Sequence, residues 1–303
     1  MNSSSNETNT PLKGFPAPYL IAEIGCNHCG EFERARELIR MAAVFCQVPA
    51  VKFQKRTPHE VLSPEEYAKP HPEPRQSYGD TYGAHREFLE FTPDQHQQLR
   101  EYCHEMGLAY SCSVWDMTSA RDIAGIAPNF IKVPSACNTH FEMAAYLCDN
   151  FQGDIHVSLG MSTVREIEAI VQFYKDRGRA HNVVLYHCTS GYPISFDDVN
   201  LLEIPHLAAL YGSDVKAIGF SGHHLGISVD IAAYALGASY FERHFTLDRT
   251  LKGTDHAASL EPDGLRRVWR DLQATARALH RKPQDILPVE EPQRAKLKWD
   301  RAK

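Results

Sequence analysis

Short apolar runs alternate with longer stretches of helical periodicity along this chain. The runs cover residues 19–24, 50–54, 108–113, 130–133, 155–158, 183–188, 215–220 and 239–244. Each has strand length and ends at polar or turn-forming residues. Between and after them lie residues 33–45, 93–106, 118–126, 141–149, 164–177, 198–210, 228–236 and 261–280. Apolar side chains there recur three and four apart, as in Leu38, Ile39, Ala42 and Ala43, which predicts amphipathic helices. Thr92 followed by Pro93 reads as an N-cap and first helical position. Eight strand-then-helix units imply parallel strands joined by right-handed crossovers. They close most simply as a single-domain (β/α)8 TIM barrel over residues 15–282. An open doubly wound sheet is the rival, but no G-x-G-x-x-G fingerprint supports it.

Three segments fall outside the repeat. Residues 1–14 are polar and read as a disordered tail. Residues 56–90, rich in Pro, His, Glu and Tyr, interrupt the second unit and read as an insertion that forms a lid or sugar-binding loop. Residues 283–303 read as a basic, polar C-terminal tail.

Composition narrows the function classes. The 303 residues are 43% hydrophobic, enough for one large core. The net charge is −6 with no long run of one sign, so neither a nucleic acid nor a membrane surface is an expected partner. An anionic substrate would need a local basic pocket. No apolar stretch approaches the roughly 20 residues of a membrane span, and the N-terminus lacks the pattern of a signal peptide. Eight scattered cysteines fit reduced thiols and a cytoplasmic protein. Cys26 and Cys29 have zinc-like spacing but no second pair, so a structural zinc is not expected.

The candidate chemistry lies where such a barrel keeps it, at the C-terminal ends of its strands. Two strands stop at histidines, His223 and His244. As neighbours in a parallel sheet they could hold one divalent ion between neutral imidazoles; the plainer alternative is that each is a hydrogen-bonded strand-end histidine. Alternation in Lys52-Phe-Gln54 aims both polar side chains into the barrel mouth. Lys52 and Lys132 would be costly inside a parallel sheet unless paired. They call for an internal partner such as Glu23 or for a bound phosphate or carboxylate. Ser135, Ser158, Ser190 and Ser221 add hydroxyl donors from separate strand ends, which favours an anion cradle. Glu23 is the candidate acid, base or water-orienting group.

These motifs together resemble the sialic acid synthase family. The matching pieces are Ala22-Glu-Ile-Gly-Cys-Asn-His28, Val51-Lys-Phe-Gln54, Thr81-Tyr-Gly83, Ser158-Leu-Gly-Met161, His187-Cys-Thr-Ser190 with Tyr192-Pro193, Phe220-Ser-Gly-His223, Glu242-Arg-His-Phe-Thr246 and Gly253-Thr-Asp-His-Ala-Ala-Ser-Leu-Glu261. They run in family order over nearly the whole barrel. The resemblance implies an enzyme that condenses phosphoenolpyruvate with an aldose such as N-acetylmannosamine, giving a nonulosonic acid and phosphate. It implies a divalent metal on His223 and His244, Mn2+ first, with Mg2+ or Co2+ as substitutes. Glu23 would assist proton movement. Lys52, Lys132, Ser135, Ser158, Ser190, Tyr192 and Ser221 would hold phosphoenolpyruvate, while Gln54, Tyr82 and Asp255 would meet the sugar. A homodimer is implied as well. Relatives carry a C-terminal antifreeze-like domain that this sequence does not show, so the 56–90 insertion is expected to complete the sugar pocket. Around the fourth strand, Pro134-Ser-Ala-Cys137 lacks an acid that the family often has there. Because these departures touch the acceptor side, the alternatives are the same chemistry on another aldose, or a non-catalytic barrel that binds a sugar or phosphosugar.

Overall fold

The computed structural model describes residues 15–299. Eight strands close into a barrel in chain order: β1 (Tyr19–Gly25), β2 (Ala50–Lys55), β3 (Ala109–Val114), β4 (Phe130–Val133), β5 (Asp154–Ser158), β6 (Val183–His187), β7 (Ala217–Gly222) and β8 (Tyr240–His244). Every neighbouring pair is parallel, including β1 with β8. The expected (β/α)8 barrel is therefore the observed fold.

The helices in chain order are α1 (Phe32–Met41), α2 (Pro58–Val61), α3 (Pro64–Ala68), α4 (Tyr82–Phe88), α5 (Pro93–Glu105), α6 (Met117–Gly125), α7 (Phe141–Asn150), α8 (Val164–Asp176), α9 (Glu203–Tyr211), α10 (Ser228–Ala235), α11 (Pro262–Ala278) and α12 (Glu291–Leu297). Thr92 caps α5 as the sequence predicts, and Gln95 returns the bond to the Thr92 backbone. Two expected helices change at their ends. The stretch 33–45 leaves α-geometry after Met41 and finishes as a wider π-turn over Ala42–Cys46. The stretch 198–210 starts late, because Asn200 sits in the left-handed region at φ 53° and only α9 follows it.

Two segments outside the barrel repeat contain short helices. Residues 56–90, expected as a lid or sugar-binding loop, contain α2, α3 and α4. Each helix starts at a Thr or Ser N-cap residue, and the side chains of Ser63 and Thr81 accept the capping bonds of α3 and α4. The segment is fastened at both ends. Lys55 pairs with Glu90 at 3.1 Å, the Gly253 N–H donates to Gln76 at 2.6 Å, and the Tyr78 hydroxyl donates to the Lys252 carbonyl. The expected C-terminal tail carries α12. The expected disordered tail at 1–14 lies outside the described residues.

Alternation along each strand sorts side chains into two environments. Outward residues such as Leu20, Phe53, Cys112, Val157 and Phe241 pack under the helices in the main core. Inward residues form an apolar base from Ile21, Ala50, Phe130, Val184 and Tyr186. Above this base the interior turns polar, with Lys52, Lys132 and Glu242 all buried. Register sets Glu23 opposite both Lys52 and His244, and Ser221 opposite Glu242. The fold thus puts residues from distant strands at one height near the barrel mouth.

Several histidines are buried as neutral rings in the core, and this makes the fold acid-sensitive. His28 stacks on Phe91 at 4.2 Å and its Nδ1 accepts the Gly30 N–H at 3.1 Å. Burial pushes its pKa from 6.5 down to about 3, and does the same to His96. Between these values the unfolded chain binds protons that the folded chain refuses, so stability falls as pH drops below 6.5. The slope is ~1.4 kcal/mol per pH unit for each such ring. An asparagine at position 28 keeps an acceptor for Gly30 but cannot titrate. We therefore expect urea unfolding of His28→Asn between about pH 6.5 and pH 4.5 to show a slope lower by about that amount. An unchanged slope would refute the assignment.

Candidate active site

At the C-terminal ends of the strands lies a cavity of ≈ 280 Å³. Its floor is ionic. The Lys52 ammonium lies 2.6 Å from Glu23, donates to the Ser113 hydroxyl at 2.6 Å, and lies 3.7 Å from Glu242. Lys132 donates to Glu242 at 2.8 Å and sits 3.8 Å above the Tyr186 ring centroid. Ser221 donates to the other Glu242 oxygen at 3.2 Å. In the sequence Glu23 is the expected internal partner of both lysines. The structure divides them, Lys52 mainly to Glu23 and Lys132 to Glu242. Glu242 was missed as a functional residue, although its place two residues before His244 on one strand puts both on the same face.

The two carboxylates are driven apart. Burial raises the Glu23 pKa, with Lys52 only partly opposing it. Burial also pushes on Glu242, but Lys132 and Lys52 together hold its carboxyl well below the usual range. Paired carboxylates with opposite shifts are the usual arrangement of a proton donor beside a permanent anion.

Hydroxyls ring the cavity wall. Ser135, Ser158, Ser190 and Ser221 all line it, as sequence reasoning expected, and so does Tyr192. Gly160 explains how they converge. A Cβ there would fall 2.6 Å from the Ser190 Oγ, 2.8 Å from the Ser135 Oγ and 2.9 Å from the Cys188 Sγ. Only glycine leaves that space open.

His223 and His244 project together into the same cavity, with ring centroids 5.6 Å apart. Tyr192 covers both, 4.3 Å from His223 and 5.6 Å from His244. The His223 Nδ1–H donates to the Thr189 carbonyl at 2.8 Å. A carbonyl can only accept, so Nε2 carries the lone pair. Burial, with His244 adding to it, holds the His223 pKa down to about 3, which keeps that lone pair free of a proton. The His244 Nδ1 is buried without a hydrogen-bond partner. A neutral ring with a free nitrogen beside a ring with an orphaned one suits a divalent ion. Among the described residues no group of three or more His, Cys, Asp or Glu side chains surrounds such a position. The described residues would thus offer such an ion two ring nitrogens, from His223 and His244.

A second cavity of ≈ 560 Å³ opens beside the first and shares Gln54, Trp115, Tyr192 and His244 with it. The three residues assigned to the sugar line it: Gln54, Tyr82 and Asp255. Gln54 bridges the two spaces, donating to Glu23 at 3.0 Å and accepting from Arg56 at 2.8 Å. Its position depends on Gly25, where φ is 53° and a Cβ would meet Gln54 at 2.9 Å. Arg56, Arg86 and Gln76 also line this second cavity. The 56–90 segment is the wall expected from the sequence, but none of these residues stands out in it. Charged side chains in an aperiodic stretch give no signal that separates them from solvated ones.

Known proteins are similar to this chain in sequence and fold. The sequence profile of the NeuB family matches residues 38–284. The N-acetylneuraminate-9-phosphate synthase of Homo sapiens is 35% identical over 272 residues, covering 90% of this chain and 74% of that protein. The N,N'-diacetyllegionaminic acid synthase of Campylobacter jejuni is 30% identical over 261 residues, covering 86% and 77%. Among solved structures, an N-acetylneuraminic acid (sialic acid) synthetase from Leptospira borgpetersenii superposes with a TM-score of 0.77 at 25% identity, covering 94% of each chain. With a profile that spans most of the barrel and relatives at 30% and 35% identity, the chain belongs to the NeuB family and is an enzyme of that synthase type.

Proposed function

We propose that this enzyme condenses phosphoenolpyruvate with an aldose to form a nonulosonic acid and inorganic phosphate. One observation carries the reading. Two buried lysines, a ring of hydroxyls and a pair of metal-competent histidines share one cavity of ≈ 280 Å³. Phosphoenolpyruvate carries both a carboxylate and a phosphate, and that set of donors is matched to it.

In this reading Lys52 and Lys132 turn from their glutamates toward the incoming anion, and Ser135, Ser158, Ser190 and Ser221 donate hydrogen bonds to its oxygens. Tyr192 closes over the same face. His223 and His244 hold a divalent ion, Mn2+ being the first candidate, whose chemistry when bound is Lewis-acid polarisation of the acceptor's carbonyl. Gln54, Tyr82 and Asp255 orient the open-chain sugar so that its carbonyl carbon faces carbon 3 of phosphoenolpyruvate. A carbon–carbon bond forms there. Water adds at carbon 2, and the carbon–oxygen bond to phosphate breaks as the 2-keto group forms. Glu23, next to Lys52 and His244, is placed to move the proton that this addition and departure require.

The test is phosphate release from phosphoenolpyruvate with Mn2+ and a panel of aldoses that includes N-acetylmannosamine. We expect release to require both metal and sugar, with one product equal in mass to pyruvate plus the aldose. Release without sugar, or none with any sugar while phosphoenolpyruvate fails to bind, would overturn the proposal.

A further inference from the structure

Among the described residues, Arg243 is the largest side chain that the fold buries completely. It lies between Glu242 and His244 on β8, and alternation turns it out of the barrel while both neighbours face the cavity. Stability alone does not call for a guanidinium there. Its pairing with Asp230 offsets the loss of water around both charges, but an apolar pair of similar volume is often as stable or more so.

The contacts of Arg243 lead instead to the histidine pair. The β7–β8 ladder runs to Gly222, which lies opposite Arg243. His223 comes one residue later, so that ladder does not set its distance from His244. The Arg243 fork reaches across where the ladder stops. Its Nη2 donates to the His224 carbonyl at 2.8 Å and to the Gly226 carbonyl at 3.1 Å. Its Nη1 donates to His224 Nε2 at 3.1 Å and to the Asp230 carboxylate. The path is open because residue 222 is glycine. A Cβ there would fall 3.1 Å from the Arg243 Cδ and 2.9 Å from the His224 Cε1. Each histidine is also anchored on its far side. His244 is in register with Glu23 of β1, and its carbonyl accepts the Leu260 N–H at 2.7 Å. His223 is bonded to Thr189 through its ring and to the Ile194 N–H through its carbonyl. One side chain, covalently next to His244, thus grips the residue covalently next to His223.

We propose that Arg243 is a positioning residue for His223 and His244. From outside the barrel it clamps the two strand ends that carry them and so fixes the separation of their rings, whose centroids lie 5.6 Å apart. This rests on the reading of that pair as the metal ligands of the condensation. A planar fork with five donors can hold two carbonyls, a ring nitrogen and a carboxylate at once, whereas lysine carries its donors on a single nitrogen. Asp230 on α10 orients the fork from the other side.

The experiment measures Mn2+ affinity on the full chain, by the paramagnetic resonance of the free ion, beside urea unfolding of each variant. Arg243→Lys keeps the charge and loses the fork. Asp230→Asn keeps the volume and an acceptor. Asp230→Leu combined with Arg243→Met removes both charges and is expected to recover stability. Disturbing the supports of metal ligands typically weakens affinity by about 10- to 100-fold. We expect a rise of that size in the Mn2+ dissociation constant for Arg243→Lys and for the double variant, and a smaller rise for Asp230→Asn, while all three still bind phosphoenolpyruvate. The double variant decides between the roles. If the cluster were merely structural, Mn2+ affinity would return with stability; a positioning role leaves it weak in a stable protein. Wild-type affinity in both Arg243→Lys and the folded double variant would overturn the inference and leave the condensation standing. A wild type that binds no Mn2+ would overturn the inference together with the metal pair. Weakened Mn2+ binding in the variants, with no phosphate release by the wild type on any aldose, would sustain the clamp and overturn the condensation.

Discussion

His223→Ala is expected to lower kcat for aldose-dependent phosphate release by about 10³-fold. Polarisation of a carbonyl by a bound metal is worth several kcal/mol, and each 1.36 kcal/mol is about tenfold in rate. The ring is specialised for this in two ways. Its Nδ1–H is taken by the Thr189 carbonyl, so only Nε2 faces the cavity. Its low pKa, set first by burial, means that protons do not compete for Nε2 near neutrality. Alanine removes one of the two nitrogens that the protein offers. The same variant should lose Mn2+ binding, read by the paramagnetic resonance of the free ion, while its thermal unfolding midpoint stays near that of the parent. Activity within tenfold of wild type, with Mn2+ still bound, would remove the histidine pair from the mechanism.

Asp230→Ala should cost about 3–5 kcal/mol of stability. Arg243 is fully buried on the outer face of β8. Its guanidinium donates to Asp230 on α10, to the His224 carbonyl at 2.8 Å and to the Gly226 carbonyl at 3.1 Å. These bonds pin the β7–α10 connection immediately after His223. Removing the carboxylate leaves a buried cation without its counter-charge, which is the costly way to break such a pair. Urea unfolding measures the loss. Replacing both members with Leu and Met should recover much of it, since the desolvation of both charges is then avoided. A loss below about 1 kcal/mol for the single variant would show that the cluster is solvated.

The two predictions differ in how far the sequence foretells them. His223 and His244 stand out because each ends an apolar run of strand length. Eight such runs, alternating with helical periodicity, already imply parallel strands and a common end. Arg243 lies between Glu242 and His244, and alternation turns it outward, away from the cavity. What it meets outside depends on α10, which no local pattern reveals.

The alternation of apolar and polar positions determined the barrel, because a period of two and a period near 3.6 are each visible within about ten residues. It also determined which polar side chains look inward, as in Lys52-Phe-Gln54. Other features required the closed structure. Lys132 meets Glu242 across 110 positions of chain, and Lys52 lies between two carboxylates from β1 and β8. The opposite shifts of those carboxylates follow from burial and from which ammonium lies nearer, and these are properties of the assembled site. Arg56 and Arg86 face one cavity only because α2, α3 and α4 fold back and are fastened to the Lys252–Gly253 loop. Periodicity is written locally, whereas charge pairing and cavity shape arise from contacts between residues far apart in the chain, and only the tertiary structure sets those.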